Sequence, residues 1–373
     1  MANEKDKLIL EKLKKVRQVK QSASNLLVDK INELDKTLTN DYFVTRNQSE
    51  VLKYLDSVDI AAILICDNGI SIYKNNDKPI FVTLKEKELQ NIFTKVSTRF
   101  ILFNAHDQLK LFKNYELKLR WFWDCLIAAK LLNENEETNN LLAICENYKL
   151  ANNISIQEDI LLIPEDILIR YECYKVQSLY KLYDFQSTFL NDSSKLKELY
   201  NLYRTIELPI INVLLSAEAN GILIDVDKLN SMIEENESNL DKIKSKLDTE
   251  LNKYSNKVNI YTFNYSSVEQ VANLLYDIIG LPQINGRSVD ENTLIKLDTE
   301  LTKALIEYKK IQVTISYLTS LKSYIKEDNK IHCKFNSIGT ATGRITTNDP
   351  NLQGIRKDLR CIFIPDNGYT FIS

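Results

Sequence analysis

Two stretches of this chain repeat apolar side chains at helical spacing over more than twenty residues each. Leu229, Ile233, Leu240, Ile243, Leu247, Leu251 and Tyr254 form the first, and Leu294, Leu297, Leu301, Leu305, Tyr308, Ile311, Ile315 and Leu318 the second. Both approach a heptad, which predicts two long helices packed on each other. Glycine points the same way. There are 8 glycines in 373 residues, about 2% against an average near 7%. That scarcity argues against Gly-rich phosphate loops, many hairpins and β-sandwiches, and favours long helices.

Charge narrows the partners. Lys+Arg number 48 and Asp+Glu 51, a net charge of −3, so the chain is no globally basic nucleic-acid coat, and such binding has to come from a local surface. Lys outnumbers Arg in a sequence also rich in Asn, Ile and Tyr, which reads as compositional bias. The six cysteines (Cys66, Cys125, Cys145, Cys173, Cys333 and Cys361) include no C-x-x-C pair, and only His106 and His332 could join them, so a structural zinc site is not expected. No apolar run approaches the ~18 residues of a membrane span. With no secretory signal, a reduced cytosolic setting is the default.

Residues 3–37 read as helix with a solvated Lys-rich face. From residue 41 the texture changes. Tyr42–Thr45, Ile60–Cys66, Ile70–Tyr73, Pro79–Thr83 and Arg99–Phe103 read as strands, with Asn68-Gly69 as a hairpin turn. Lys85–Lys95 and Trp123–Leu132 read as helices. Strands alternating with helices predict an α/β or α+β domain over 41–190. Beyond 195 the pattern is almost wholly helical. Ser266-Ser267-Val268-Glu269 reads as a capping box opening a helix that Gly280 ends, and Ser288-Val289-Asp290-Glu291 as a second box opening the last long helix. Ile331–Asn336 and Tyr369–Ser373 read as strands, the latter entering a core.

One region is specific. Thr340-Ala341-Thr342-Gly343-Arg344, followed by Asp349-Pro350-Asn351-Leu352-Gln353, resembles the palm entry of family A DNA polymerases, which reads T-x-T-G-R and then D/N-P-N-L-Q. Glu218, Gly221 and Ile222–Asp225 resemble the segment before that family's thumb. Phe263-Asn264-Tyr265-Ser266-Ser267, Leu274-Leu275-Tyr276 and Gly280-Leu281-Pro282 are similar to the thumb itself. The resemblance covers residues 41–373. It implies that Arg344 meets the minor groove near a primer terminus, where acceptors present on every base pair let an Arg test geometry rather than sequence. Thr342 and Gly343 would set the turn that aims it. Asn351 and Gln353 suit duplex contacts or loop bracing, and Lys357 and Arg360 suit phosphates.

Three departures qualify what the resemblance implies. The family follows its palm-entry strand with an Asp that binds two catalytic Mg²⁺, and later carries a fingers helix and a second acid; the sequence stops at Ser373, before that Asp. Two-metal phosphoryl transfer needs those carboxylates, so the chain alone is expected not to polymerise. The family's 3′–5′ exonuclease uses Asp-x-Glu on its first strand, Asn-x-x-x-Asp on a helix and Tyr-x-x-x-Asp near the domain's end. Here Ile60–Cys66 carries no acid, Asn104 is followed by Gln108, Tyr171 is followed by Lys175, and Asp107 stands one residue out of place. Asp124 survives, in a position that suits a helix N-cap. Finally, the stretch from Gln353 to Phe363 is shorter than in the family, with Arg356 where a Pro is expected.

The fold expectation is α+β or α/β: an N-terminal helical segment (1–40), a ribonuclease H-like exonuclease-type domain without its metal acids (41–190), palm entry and helical thumb (191–330), and the first strands of an incomplete palm (331–373). The implied function is that of a family A DNA-directed DNA polymerase, with these residues binding primer–template DNA and lacking catalysis of their own. No catalytic or metal-binding residue is assigned, and Mg²⁺ is expected only for the complete polymerase. The expected partners are primer–template DNA and a separate chain carrying the rest of the polymerase, with no membrane, in a cytoplasmic, nucleoid-associated setting. The competing readings are a non-catalytic duplex-binding protein or gene remnant, and an active 3′–5′ exonuclease.

Overall fold

A computed structural model describes residues 31–38, 41–66, 68–113, 119–133, 135–136, 138–156, 163–192, 196–340 and 342–372. It divides into two compact units, one reaching to Ser216 and including Ser337–Arg344, the other comprising Ala217–Asn336 and Ile345–Ser373. Of the N-terminal helix expected over 3–37, residues 31–37 are helical and the earlier part lies outside the described residues.

The first unit is built on a six-stranded sheet. In chain order come β1 (Phe43–Thr45), α1 (Gln48–Tyr54), β2 (Ile60–Cys66), β3 (Gly69–Tyr73), β4 (Ile80–Val82), α2 (Glu86–Lys95), β5 (Arg99–Leu102), α3 (Ala105–Lys113), β6 (Trp121–Asp124), α4 (Cys125–Leu132), α5 (Leu141–Asn147), α6 (Glu165–Asp192) and α7 (Lys197–Leu202). A π-helical turn, Tyr203–Glu207, leads into α8 (Leu208–Asn220). The sheet order is β1-β4-β3-β2-β5-β6. β1 runs parallel to β4, β3 is antiparallel to both its neighbours, and β2, β5 and β6 are parallel. Its core carries Ile63, Ile72, Phe100, Leu102 and Trp123, with Val176, Leu179 and Leu182 of α6 against them. The parallel strands are continuous apolar runs, as burial on both faces requires.

The hairpin is present, one residue out of the expected frame. Cys66 pairs with Gly69, so Gly69 opens β3 instead of lying in the turn. Glycine is needed there because of β4: a Cβ at 69 would lie 2.6 Å from the Val82 carbonyl oxygen and 2.9 Å from the Phe81 ring. The helix read over Trp123–Leu132 begins two residues later, because Trp123 and Asp124 still belong to β6 and pair with β5. Residues 31–38 are fixed by Arg170 of α6, which is buried. Its guanidinium bonds Asp35 Oδ1, the Asp35 carbonyl (2.8 Å) and the Leu38 carbonyl (2.7 Å).

The second unit starts from β7 (Ile222–Ile224) and the 27-residue α9 (Val226–Asn252), then α10 (Val268–Ala272) continues into a π turn, Asn273–Ile278. β8 (Ile284–Arg287), α11 (Glu291–Leu297) and α12 (Glu300–Ser323) follow, then β9 (Lys330–Ile331), β10 (Lys334–Asn336), β11 (Thr346–Asn348), a 3₁₀ turn (Lys357–Ile362) and β12 (Phe363–Ile364). α9 and α12 pack along each other through Ile243, Leu247, Leu251, Leu301 and Leu305 at one end and Leu229, Leu318 and Leu321 at the other.

The second periodic stretch is two helices rather than one. Asp298 adopts φ 44° and breaks the helix, an excursion Asp tolerates better than most residues. Thr299 then caps α12, its Oγ1 accepting from Thr302 N at 3.1 Å. The cap of α11 is Asp290, accepting from Thr293 N at 2.7 Å, and that of α10 is Ser267 rather than Ser266. The strand expected over Ile331–Asn336 is split. β9 joins a three-stranded sheet ordered β12-β7-β9, while β10 forms a hairpin with β11. Tyr369–Ile372 is not a strand. Tyr369 N closes a turn on the Asp366 carbonyl, and Ile372 is 94% exposed. No strand pairs with this run among the described residues, so β-prone side chains alone do not make one.

Candidate nucleic-acid interface

The segment Glu218–Asp225 is explained by contacts more than a hundred residues away. Gly221 ends α8 at φ 62°, and a Cβ there would meet the His332 ring at 2.8 Å. That ring bonds the Glu218 carbonyl oxygen through Nδ1 (2.7 Å) and Asp328 Oδ2 through Nε2 (3.0 Å). The Glu218 carboxylate accepts from Phe335 N of β10 at 2.6 Å. Asp225 caps α9 through Lys228 N (2.9 Å), and its own N–H bonds Ile362 O (2.9 Å). The motif fixes where α8, β7, α9 and β10 meet; its acids are structural.

Residues 337–345 join β10 to β11. Within them Thr340 Oγ1 accepts from Arg344 N (2.9 Å) and donates to Arg344 O (3.0 Å), while Gly343 N bonds Thr340 O (3.3 Å). Gly343 sits at φ 70° with open space around its Cα, so it is required for conformation rather than for fit. Thr342 touches Thr340 Oγ1 at 3.4 Å, and Arg344 is exposed. The two residues sit in one tight turn in the first unit.

Asn351, Gln353, Lys357 and Arg360 lie in the second unit. Asn351 Oδ1 accepts from Thr347 Oγ1 (3.3 Å) and Gln353 N (3.0 Å), and Gln353 Nε2 donates to Ile345 O (2.7 Å). Of the two roles open to these amides, the one the geometry displays is bracing the β11 exit. Lys357 and Arg360 are both exposed on the 3₁₀ turn, whose apolar side chains Leu359 and Ile362 are buried. Arg356 was not singled out as a contact residue, and it is the most connected of the group. It donates to Thr314 Oγ1 of α12 at 2.7 Å and forks onto Asp358.

Among the described residues, the positions matching the exonuclease pattern are engaged in contacts within the protein. Gln108 spans the backbone of Ile65: Oε1 accepts from Ile65 N (2.8 Å) and Nε2 donates to Ile65 O (3.3 Å). β2 pairs with β5 only as far as Ala62, so the amide replaces a strand where the ladder has run out. Asn104 sits at φ 55° ahead of α3 and donates to Asp107 Oδ2 (2.7 Å). Asp107 is held below the usual carboxylate range, first by its bond to His106. Lys175 pairs with Glu172 (2.7 Å) and lies over the Tyr171 ring, whose hydroxyl donates to Ile154 O (3.0 Å). Burial pushes the Cys66 thiol, at the end of β2, up to about 11. An amide, an ammonium and a thiol are not the donor set of a hard divalent cation. Among the described residues, no group of three or more His, Cys, Asp or Glu side chains is placed to hold a metal.

Asp124, the surviving acid, caps α4 and also closes the start of α3. Its oxygens accept from Leu126 N (2.9 Å), Ile127 N (3.4 Å), Asn104 N (3.1 Å) and Ala105 N (2.6 Å). Burial raises its pKa to about 6, against the opposing effect of those four N–H groups.

No helix of the described residues is long and apolar enough to cross a membrane. Residues 230–373 match the family model for DNA polymerase family A. DNA polymerase I of Bacillus subtilis is 27% identical over 267 residues, 65% of this chain and 28% of the relative. That of Caldicellulosiruptor bescii is 26% identical over 351 residues, 88% of this chain and 38% of the relative. That of Helicobacter pylori is 34% identical over 162 residues, 43% of this chain and 17% of the relative. The chain thus spans well under half the length of these relatives. Among solved structures, the POL domain of Pol1 from M. smegmatis, in complex with DNA primer–template and dNTP, superposes with a TM-score of 0.71 at 18% identity, over 88% of this chain and 59% of that one. The chain therefore matches the model of DNA polymerase family A over residues 230–373, and along most of its length it is similar to bacterial DNA polymerase I proteins.

Proposed function

We propose that these residues hold primer–template duplex for a family A DNA polymerase, without supplying nucleotidyl transfer or 3′–5′ hydrolysis themselves. In this reading 191–330 act as palm entry and thumb and 331–373 as the start of the palm. Residues 41–190 act as a ribonuclease H-like scaffold, a reading supported by the mixed sheet with β3 reversed among β4, β2 and β5. The observation that carries the proposal is the Thr340–Arg344 turn, which ties both backbone groups of Arg344 to one hydroxyl and leaves its guanidinium exposed. Arg344 probes minor-groove acceptors, and Lys357 and Arg360 neutralise phosphates. The scaffold has no metal chemistry of its own, because Gln108 and Lys175 occupy the positions where the family pattern has acids.

The test is fluorescence anisotropy with a labelled primer–template across a salt series. Wild-type affinity falls linearly in log–log form as salt rises. Arg344→Ala weakens binding by about 1–3 kcal/mol with little change in slope, whereas Lys357→Ala or Arg360→Ala each lowers the slope by about one. With Mg²⁺ and nucleotides the primer is neither extended nor shortened. Absent or salt-indifferent wild-type binding overturns the proposal.

A further inference from the structure

Arg356 departs from the family pattern, and the duplex-binding reading leaves it without a role. Its guanidinium is half exposed yet fully engaged with the protein: Nη1 donates to Thr314 Oγ1 (2.7 Å), while Nε and Nη2 fork onto Asp358. Thr314 is 5% exposed, and its hydroxyl hydrogen is spent on the Lys310 carbonyl (2.8 Å), so toward Arg356 it can only accept. The arginine therefore spans from the buried face of α12 to the second residue of the 3₁₀ turn. Leu359 N in turn bonds Arg356 O (3.0 Å), and Arg360 Nε bonds Ile355 O (3.4 Å). Leu359 and Ile362 anchor the same turn from its apolar side. With both sides fixed, the exposed pair Lys357 and Arg360 is held at a set place along α12.

We infer that Arg356 is a positioning residue: its Thr314 bond docks the 357–362 turn on α12, so that Lys357 and Arg360 engage neighbouring phosphates together. The inference rests on the duplex-binding reading above. A family chain with proline at this point cannot make this bond, because proline has no side-chain donor. Here the segment is shorter, and a side-chain tether does the docking.

Thr314→Val separates this role from simple charge. It removes the acceptor and leaves every cation in place. The assay is anisotropy on the full chain across a salt series, with thermal unfolding by circular dichroism as the control. Thr314→Val and Arg356→Ala are each expected to lower the log–log salt slope by about 1–2, since each phosphate that is no longer neutralised takes about 0.9 from it. Arg356→Lys, too short and unforked to span the same gap, restores little. In a Lys357→Ala/Arg360→Ala background, Thr314→Val changes the slope no further. If Arg356→Ala lowers the slope while Thr314→Val does not, Arg356 touches phosphate itself and the docking role is wrong. A fall in melting temperature with an unchanged slope assigns the bond to stability alone and overturns the inference. Absence of wild-type binding refutes instead the reading on which it rests.

Discussion

Replacing Gln108 by Glu changes one atom of the Ile65 bridge and reverses its sense. The Oε1 acceptor still receives Ile65 N–H at 2.8 Å, but where Nε2 donated to Ile65 O at 3.3 Å a carboxylate oxygen now faces a carbonyl oxygen. The lost bond is worth about 1 kcal/mol, and leaving a partly buried carbonyl opposed by negative charge adds about 1–2 more. The first unit should therefore lose about 2–3 kcal/mol at pH 7. Protonating the new carboxyl restores a donor. Its folded pKa then lies above its unfolded value near 4.3, so its stabilising contribution is present at low pH and disappears as pH rises through the folded pKa. The variant should approach wild type near pH 4 and diverge from it toward pH 7. Gln108→Ala loses both bonds at every pH and supplies the pH-independent control. The readout is selective, because the chain's two tryptophans, Trp121 and Trp123, both lie in β6. Urea titration followed by tryptophan fluorescence reports the first unit. At about 2 kcal/mol per molar urea, the midpoint shifts by about 1 M. A Gln108→Glu variant as stable as wild type at pH 7, or equally destabilised at pH 4, refutes the account of the bridge.

Burial raises Asp124 to about 6 from an ordinary 3.8, so the native state holds its proton across that interval and this group's contribution falls as pH rises through it. Asp124→Asn abolishes that slope and turns an amide donor toward a backbone N–H. The stability gap to wild type, read by tryptophan fluorescence, should be wider at pH 4.5 than at pH 7; a gap independent of pH contradicts this. Gly221→Ala combines φ 62° with a 2.8 Å approach to His332 and should cost about 2–4 kcal/mol in the second unit, measured by circular dichroism at 222 nm; an unaltered unfolding curve would show that the ring gives way freely. Cys361 is the exposed thiol, whereas Cys125, Cys145, Cys173 and Cys333 are buried, and burial pushes Cys145 and Cys173 up to about 12. Alkylation of the native chain followed by mass mapping should label Cys361 first and those four only on unfolding.

The helices were legible because their signal is local. Leu229 through Leu251 repeats within one helix, and the repeat survives any tertiary context that buries that face. The break at Asp298 was not legible, since Leu297 and Leu301 keep helical spacing across it while the backbone turns left-handed. The Glu218–Asp225 segment stood out as a pattern, but its meaning depended on His332 and Phe335, 114 and 117 residues away. Gln108 was visible as a departure from an acid, whereas its bond to Ile65 needed the sheet to exist first. Tyr369–Ile372 carries strand-forming side chains, and a strand also needs a neighbour, which composition does not encode.

The π turn at Tyr203–Glu207 has a further consequence. It takes one residue more than an α turn would, and Tyr203 at its start reaches into the core, where its hydroxyl accepts from Asp124 N (2.7 Å) and donates to Asp124 O (3.1 Å). Downstream, Leu208, Ile211 and Leu215 face the same core. Deleting one residue from 204–207 would regularise the helix and leave everything after it nearly in phase with Tyr203, because a π turn of five residues and an α turn of four make about the same circuit of the axis. This stretch therefore carries one residue more than the phase of the helix needs. The exposed Ile206 can be lost from it with both the tyrosine anchor and the leucine face kept, while a single-codon deletion between Leu208 and Leu215 would turn the rest of that face by about 100°.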